Sequence, residues 1–439
     1  MQLKRVSVGN YKNIADTTLD LNKLVAIVSV NNYGKSNLLE AIRFGFEFIS
    51  ASAKVRSGMM RWERGVPLST ALAGKDYNFS IEFDNPELGE YRFVRYSFSF
   101  SWINDQNTGA AITDEMIEMR KTESVQYTSY LKRDKGQYKA AKSKTGFRKI
   151  SLAKDILAID ILSALDDIGI ADVISCIKQL SYRMCTTLQV DSSFFPIPIE
   201  IESDNTSSLS FNDNDIPQAL SILRKEQPDQ YNLFLEAIYD LFPEFKKLEL
   251  QVYTLKENDL PDFEARLISR KDGENKSSSI PYRIKDEIYR LVIYSEYLNQ
   301  PISMEYMSTG TKRLIWLIAN AVFGNFYGIN LIGVDEIETS IHPKMIRGLL
   351  ESLNDILESA SVVVTSHSPY LIQYLKPESI YVGYPSNDGV ARFKRIKRNR
   401  MKTLLNTTRE LELSVGEYLF ELMSGDEDST DVLAAYLED

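Results

Sequence analysis

One short segment constrains this chain more than any other, residues 29–36 with the sequence SVNNYGKS. It follows the apolar, β-branched run LVAIVSV and precedes NLLEAIRFGFEFI, in which apolar residues recur at helical spacing. A strand, a loop ending in Gly-Lys-Ser and a helix are the context of the phosphate-binding pattern G-x-x-x-x-G-K-[ST]. The segment departs from that pattern at Ser29, which stands in place of the first glycine.

The spacing of this loop suits a nucleoside triphosphate. Backbone N–H groups at a helix N-terminus cradle phosphate oxygens, Lys35 adds positive charge beside the β and γ phosphates, and Ser36 offers a hydroxyl to Mg²⁺. We therefore expect ATP and Mg²⁺ here, and the nucleotide contacts are predicted for Asn31, Asn32, Tyr33, Gly34, Lys35, Ser36 and Asn37. A loop that needs positive φ at position 29 would strain Ser29 and lower nucleotide affinity.

A second segment, residues 330–336 (NLIGVDE), is typical of an apolar strand that ends in two acids. At such a strand end Asp335 faces the phosphate loop and holds Mg²⁺, while Glu336 polarises the attacking water. Taken alone, a strand ending in Asp-Glu is as easily an ordinary strand terminus. Together with the phosphate loop it predicts Asp335 as a metal ligand and Glu336 as the catalytic base.

Two further segments fit the same chemistry. Ser308 and Gly310 lie in MSTGTKR, directly before the helical run LIWLIANAVF, and a helix N-terminus suits a γ-phosphate. In isolation a simple Ser/Thr N-cap explains them better. His367 follows the strand SVVVTS and is placed to hydrogen-bond the γ-phosphate or to orient water, although a lone histidine is more often structural.

In this order the four segments resemble the ABC-type ATPase heads of the SMC and OLD-like group. The run DEIETSIHP, residues 335–343, is similar to the family pattern D-E-P-E-x-x-L-H-P, with Ile337 in place of proline, so His342 also falls within a family motif. The signature L-S-G-G-Q is represented by M-S-T-G-T. The resemblance implies that Ser308 and Gly310 close on ATP bound to a second protomer. It covers residues 1–50 and 300–380.

The expected fold is α/β: an ABC-type P-loop ATPase head with an antiparallel β-lobe and an inserted helical lobe. Alternation in NFSIEFD and EYRFVRYSFSFSW predicts a hairpin with NPELGE as its turn. We expect an N-terminal half of the head at 1–150, a helical lobe at 151–242, a C-terminal half at 243–390 and an extension at 391–439. Strands are also predicted at 245–256 and 262–270, and an exposed loop at 202–215.

Charge and hydropathy restrict the partners. A formal net charge of −10 confines any nucleic-acid contact to local patches, of which the basic runs 132–149 and 392–402 are candidates, although such runs are more often solvated. Neither an apolar run of bilayer length nor the apolar core of a signal peptide is evident, so we expect a cytoplasmic protein without a membrane partner. The two cysteines, Cys176 and Cys185, are expected to be buried hydrophobes.

The resemblance implies a slow or regulated ATPase that forms homodimers or higher homo-oligomers through its heads. A chain of this kind resembles the ATPase subunits of antiphage systems of the PARIS or Septu kind. This resemblance implies a separate nuclease effector that the ATPase restrains or activates. It also implies DNA or a phage product as a possible trigger. The alternative is a DNA-binding ATPase of repair or recombination. A third hypothesis is a scaffold that binds ATP without hydrolysing it.

Overall fold

The computed structural model describes residues 1–61, 67–104, 108–134, 137–140, 152–162, 170–195, 199–201, 215–254, 282–383, 388–425 and 427–438. The chain divides into two compact units, Met1–Met184 with Phe323–Asp439, and Cys185–Val322. The four-part division expected from the sequence stays a prediction. None of the helices within the described ranges is both long and apolar enough to span a bilayer.

The strands, in chain order, are β1 Gln2–Gly9, β2 Thr17–Asp20, β3 Leu24–Val28, β4 Tyr77–Asp84, β5 Phe93–Ser101, β6 Ala111–Arg120, β7 Thr128–Asp134, β8 Gln137–Ala140, β9 Ser181–Cys185, β10 Ile199–Ile201, β11 Phe245–Thr254, β12 Tyr282–Ile284, β13 Glu287–Ser295, β14 Ile302–Ser303, β15 Ile329–Val334, β16 Ser361–Ser366, β17 Ile380–Gly383 and β18 Phe393–Arg395.

The α-helices are α1 Lys35–Ser50, α2 Ala53–Met59, α3 Ala158–Leu162, α4 Ala171–Gln179, α5 Thr187–Ser192, α6 Ile216–Glu226, α7 Pro228–Leu241, α8 Thr309–Tyr327, α9 Pro343–Ile356, α10 Pro369–Ile372, α11 Met401–Glu410, α12 Val415–Ser424 and α13 Glu427–Tyr436.

A six-stranded sheet carries the predicted nucleotide motifs. Its order is β18-β17-β3-β16-β15-β9, and the four central strands run parallel to one another. Every residue of β15 and β16 is buried, as their continuous apolar runs require when both faces of a parallel sheet are covered. The parallel order places the carboxyl ends of β3, β16 and β15 side by side.

The predicted antiparallel lobe is present as a seven-stranded sheet of order β2-β1-β4-β5-β6-β7-β8. Strands β4 and β5 form the predicted hairpin, and burial alternates along β5 because one face packs on the core. Phe48 of α1 stacks on Phe98 and Phe100, with ring centroids 4.8 and 4.9 Å away. These rings belong to a single hydrophobic core that also includes residues of β1, β3 and β15, so the core joins the lobe to the parallel sheet.

In the unit Cys185–Val322, two consecutive helices, α6 and α7, contact the sheet of order β11-β13-β14. Asp215 caps α6 by accepting a hydrogen bond from the N–H of Gln218 at 3.0 Å, and it also pairs with buried Lys285 at 3.0 Å. The predicted strand at 245–256 is observed as β11. The predicted strand at 262–270 and loop residues 202–214 lie outside the described residues.

After β18, the C-terminal extension is helical and belongs to the first unit. Tyr418, Leu419 and Leu422 of α12 are buried, as expected of an element that covers a core. Helix α12 contacts α10, where a Cβ at Gly416 would lie 2.1 Å from the carbonyl oxygen of Pro369. Only glycine permits this approach.

Candidate functional site

Three neighbouring strand ends bring most of the predicted site residues to one edge of the parallel sheet. The phosphate loop follows β3, His367 follows β16, and Asp335 and Glu336 follow β15. The register aligns Val28 with Ser366 and Val334 with Val364, so these three connections are adjacent. Ligands of open α/β sheets bind at this carboxyl edge.

The phosphate loop combines two left-handed residues with an open helix end. Asn32 has φ 59° and Gly34 has φ 125°. No described side chain caps α1 at Gly34, and no acid lies in its first turn. Asn31 and Asn32 are exposed, while Ser36 and Asn37 are half-buried. The first N–H groups of α1 therefore offer donors for an anion.

The loop does not require positive φ at Ser29, so the strain considered for this residue is not observed, and its effect on nucleotide affinity stays a prediction. Ser29 is absent from the described non-glycine residues with positive φ, and its hydroxyl donates to the carbonyl oxygen of Val30 at 3.1 Å. Its fully buried side chain fits because the adjacent residue on β17 is Gly383, whose Cβ would lie 2.4 Å from the Cβ of Ser29. One glycine on the neighbouring strand thus provides the space that the serine fills.

Lys35 is buried and directed at its own loop. Its Nζ donates to the carbonyl oxygens of Ser29 and Val30, each at 3.0 Å. Burial lowers the pKa of Lys35, and the nearby carboxylates of Glu336, Glu338 and Asp335 act in the opposite direction. A buried ammonium beside three acids and an open helix end fits a Mg²⁺-bound triphosphate, since the phosphates can replace the carbonyl oxygens as its acceptors.

Residues distant in sequence support the loop, and the sequence analysis missed them. The amide of Asn13 donates to the carbonyl oxygen of Tyr33 at 3.1 Å and accepts from Asn37 at 2.8 Å. The Tyr33 hydroxyl accepts from the N–H of Arg392 at 3.1 Å. Tyr33 therefore anchors the loop to the chain before β18. The only sequence signal that could have indicated Asn13 is the polar segment around it, residues 9–15 (GNYKNIA).

Asp335 and Glu336 are held by β16. The buried Thr365 hydroxyl donates to Asp335 Oδ1 at 2.6 Å and accepts from the N–H of Glu336 at 2.8 Å. Glu336 has φ 48°, a backbone conformation that non-glycine residues adopt rarely, and its Oε2 accepts from the Thr339 hydroxyl at 3.0 Å. Such strain is common at functional sites. Thr365 was not identified from the sequence because Asp335 and Glu336, the residues that it contacts, are distant along the chain.

A carboxylate not identified from the sequence contacts His367. Glu338 Oε1 accepts from the backbone N–H of His367 at 2.8 Å and lies 3.0 Å from its Nδ1. The His367 side chain is 42% exposed, whereas that of Glu338 is 13% exposed. His342 has a different role, because its Nδ1 accepts from the N–H of Lys344 and caps α9.

Ser308 and Gly310 lie in the other compact unit, at the start of α8. The Ser308 hydroxyl accepts from the N–H of Thr311 at 3.2 Å, so it forms the N-cap that the simpler hypothesis predicts. Ser308 is exposed and Gly310 is buried. The geometry is compatible with an anion at this helix end, and their nucleotide role remains a prediction.

The basic runs offer less free charge than the sequence indicates. Arg392 pairs with Asp388 at 2.7 Å, and Arg395 pairs with Asp20 and Glu438 at 2.9 and 3.1 Å. Most of the run at 132–149 lies outside the described residues.

A model of the protein family described as AAA ATPase domain matches residues 1–372. The Septu protein PtuA of Bacillus thuringiensis is 28% identical over 102 residues, which is 20% of this chain and 25% of that protein, so the match spans a quarter of the relative's length.

Among solved structures, an Smc head bound to the C-winged helix domain of ScpA is similar with a TM-score of 0.52 and 12% identity, over 92% of this chain and 100% of that chain. The SMC head domain from Thermotoga maritima gives a TM-score of 0.40 and 11% identity, over 90% and 100%. The first of these confirms the expected head fold.

Proposed function

Because the chain belongs to the family of AAA ATPase domains and has the fold of an SMC head, we propose that it binds ATP at residues 29–37 and hydrolyses it to ADP and phosphate. The observation that carries this proposal is the environment of Lys35. A buried ammonium, bonded to two neutral carbonyl oxygens and close to the acids after β15, supports a binding site for a metal-bound polyphosphate.

Each residue at the sheet edge then has a defined task. The first N–H groups of α1 and the ammonium of Lys35 bind phosphate oxygens, and Asn31, Asn32, Tyr33 and Asn37 shape the loop around them. Ser36 and Asp335 hold the metal. Bound Mg²⁺ would neutralise the charge of the β and γ phosphates. Glu336 accepts a proton from the attacking water, and His367 hydrogen-bonds the γ-phosphate or that water.

We also propose that two heads pair around the nucleotides. The exposed hydroxyl of Ser308 and the N-terminus of α8 supply donors for a γ-phosphate bound by a second copy, as the signature-like sequence implies. Hydrolysis would then be slow in the monomer and faster in the assembly.

For the biological role we propose a sensor ATPase of an antiphage system that restrains or activates a separate nuclease. The similarity to the Septu protein PtuA supports this role, although it covers only a quarter of that relative. A phage product or DNA would act as the trigger by altering the pairing of the heads.

Steady-state ATP hydrolysis and assembly mass test the proposal for wild type, Lys35→Ala and Glu336→Gln, with and without the proteins encoded beside it. We expect slow turnover in wild type, loss of binding in Lys35→Ala, and an ATP-trapped assembly in Glu336→Gln. Co-purification of a nuclease supports the sensor role.

Three outcomes would contradict parts of this proposal. Absent turnover in wild type would favour the scaffold. Unchanged turnover in Glu336→Gln would remove that residue from the role of base. Turnover stimulated by duplex DNA without a partner, with binding that falls steeply as salt rises, would favour a DNA-repair ATPase.

A further inference from the structure

We propose that Glu338 positions the imidazole of His367 by holding its proton on Nδ1, so that Nε2 is the atom presented to the nucleotide. This proposal deepens the proposed ATPase function and rests on it for its catalytic consequence. Its structural part concerns only the protonation of a ring nitrogen, and it can be tested without nucleotide.

The approach of the two side chains favours one tautomer. A carboxylate oxygen only accepts hydrogen bonds, so a hydrogen on His367 Nδ1, 3.0 Å from Glu338 Oε1, is attracted to that oxygen, whereas a lone pair there is repelled. The same oxygen accepts from the backbone N–H of His367 at 2.8 Å. The backbone hydrogen bond fixes the histidine backbone against Glu338, and the same oxygen lies beside the Nδ1 side of the ring.

The second oxygen of Glu338 is not used in the contact with His367. Glu338 Oε2 is buried and has no hydrogen-bond partner among the described residues. Here the chain keeps an incompletely satisfied carboxylate behind a half-exposed imidazole, close enough to Lys35 to act on its charge.

The position of the pair explains its use. Glu338 lies in the turn after β15, and its carboxylate reaches across to the residue that follows β16. That residue is adjacent to the end of β3, where the phosphate loop begins. With Nδ1 occupied by Glu338, a neutral His367 can only accept a hydrogen bond through Nε2, whereas a protonated His367 donates one there. A carboxylate that orients a histidine in this way selects the tautomer and the ring orientation together.

The chain contains its own reference. It has two histidines, and the second, His342, accepts a hydrogen bond at Nδ1 from the N–H of Lys344 at 3.3 Å. A neutral His342 therefore carries its hydrogen on Nε2. The two imidazoles are expected to be opposite tautomers in the same molecule.

Long-range ¹⁵N–¹H correlation spectra of the full chain labelled at histidine test this directly. They are recorded at about pH 8.5, about two units above the ordinary imidazole pKa of about 6.5. We expect the Nδ1–H form for His367 and the Nε2–H form for His342, with His342→Gln assigning the signals. A wild-type His367 in the Nε2–H form would refute the proposal, whatever the ATPase activity.

Variants test the consequence. Glu338→Ala should move His367 towards the Nε2–H form and lower kcat about 10- to 100-fold, with KM for ATP changed less than about twofold. Glu338→Gln keeps an acceptor oxygen and should retain the tautomer and more of kcat. Glu351→Gln is the matched control, because Glu351 is an exposed glutamate that pairs with Arg347, and it should leave both readouts unchanged.

The remaining outcomes are also decisive. A Glu338→Ala variant with unchanged tautomer and kcat would overturn the proposal. If Glu338→Ala fails to fold, a loss of the Nδ1–H form in folded Glu338→Leu supports it, and its retention there contradicts it. A wild type that shows the expected tautomers but no ATP turnover would leave the positioning intact and refute the proposed function instead.

Discussion

Tyr182 occupies the space that a side chain at position 333 would need. Its ring stacks on Phe46 at 5.8 Å, its hydroxyl donates to the carbonyl oxygen of Leu39 at 3.3 Å, and burial raises its pKa far above the usual range for tyrosine. A Cβ at Gly333 would lie 2.0 Å from that hydroxyl. Because Gly333 is two residues before Asp335, the packing of one tyrosine helps to set the position of the proposed metal ligand.

We therefore expect Gly333→Ala to lower the free energy of unfolding by about 1–3 kcal/mol, since the half-buried Tyr182 must give up its contacts with Phe46 and Leu39 to move away. ATP turnover should fall as well, because β15 is displaced. Urea unfolding of Gly333→Ala, Tyr182→Phe and the double variant measures the coupling. The double variant should be more stable than the sum of the single changes predicts. A Gly333→Ala protein as stable as wild type would contradict the close contact.

At this scale the sequence predicted local patterns and missed partners that are distant along the chain. Residues 29–37, Asp335 and His367 were identified because each lies in a short, recognisable run beside a strand. Asn13 and Thr365 were missed, since their roles exist only after separate segments pair. Glu338 was quoted within a family motif, but nothing in its neighbours indicates that it contacts His367.

At the scale of elements, a fully buried glutamate attaches α3 to the antiparallel sheet. Glu115 of β6 accepts from the N–H groups of Ala158 and Ile159 at 2.6 and 3.1 Å and from the Tyr96 hydroxyl at 3.1 Å. Burial raises the pKa of Glu115 from 4.5 to about 6, and it lowers the pKa of Arg133, whose Nη1 is 3.9 Å away. The raised pKa of Glu115 and the lowered pKa of Arg133 both show that the cost of burying these two charges outweighs their mutual attraction.

This arrangement predicts a dependence of stability on pH. The raised pKa means that the folded state favours protonated Glu115, so its contribution is complete below about pH 4.5 and is lost as the pH rises through about 6. Relative to Glu115→Gln, the free energy of unfolding of wild type should fall by about 2 kcal/mol between about pH 4 and pH 7. Denaturant unfolding at several pH values measures this difference. A wild-type curve that rises relative to Glu115→Gln over that interval would show that the shift has the opposite sign.

The elements themselves were largely predictable. Alternation predicted β4 and β5, and apolar runs predicted β15 and β16, because burial on one face or on both leaves a direct pattern in the sequence. The order of the sheet strands was not predictable, because it depends on contacts between distant segments. The α10–α12 contact at Gly416 was missed for the same reason.

At the scale of the whole molecule, the net charge opposes the proposed pairing of heads. Each copy carries −10, and bound nucleotide adds further negative charge, so two copies repel one another over distances comparable to the Debye length. Salt shortens that length from about 14 Å at 50 mM to about 6 Å at 300 mM. The proposed assembly should therefore respond to salt in the opposite way to DNA binding, which salt weakens.

We expect the ATP-bound Glu336→Gln assembly to tighten as NaCl rises from about 50 to about 300 mM. Analytical ultracentrifugation over this range measures the dissociation constant, with Lys35→Ala as the control that should stay monomeric at every salt concentration. An assembly that loosens steadily with salt would indicate that attractive charge pairs hold the heads together.

The presence of serine at position 29 of the loop, packed against Gly383 of the neighbouring strand, affects how relatives of this chain are recognised. A search pattern that requires glycine at the first position of the loop rejects this sequence, although the small residue that the structure needs is present on the neighbouring strand. Related sequences with a residue larger than glycine at position 29 should therefore keep glycine at position 383. A larger residue at 29 is permitted only where position 383 is glycine, whereas glycine at 29 leaves Tyr33 as a further constraint on position 383, because its ring lies 2.7 Å from a Cβ placed there. Position 29 could then change from glycine to serine while position 383 is glycine, whereas a change of position 383 to a larger residue is hindered by Tyr33 in either case.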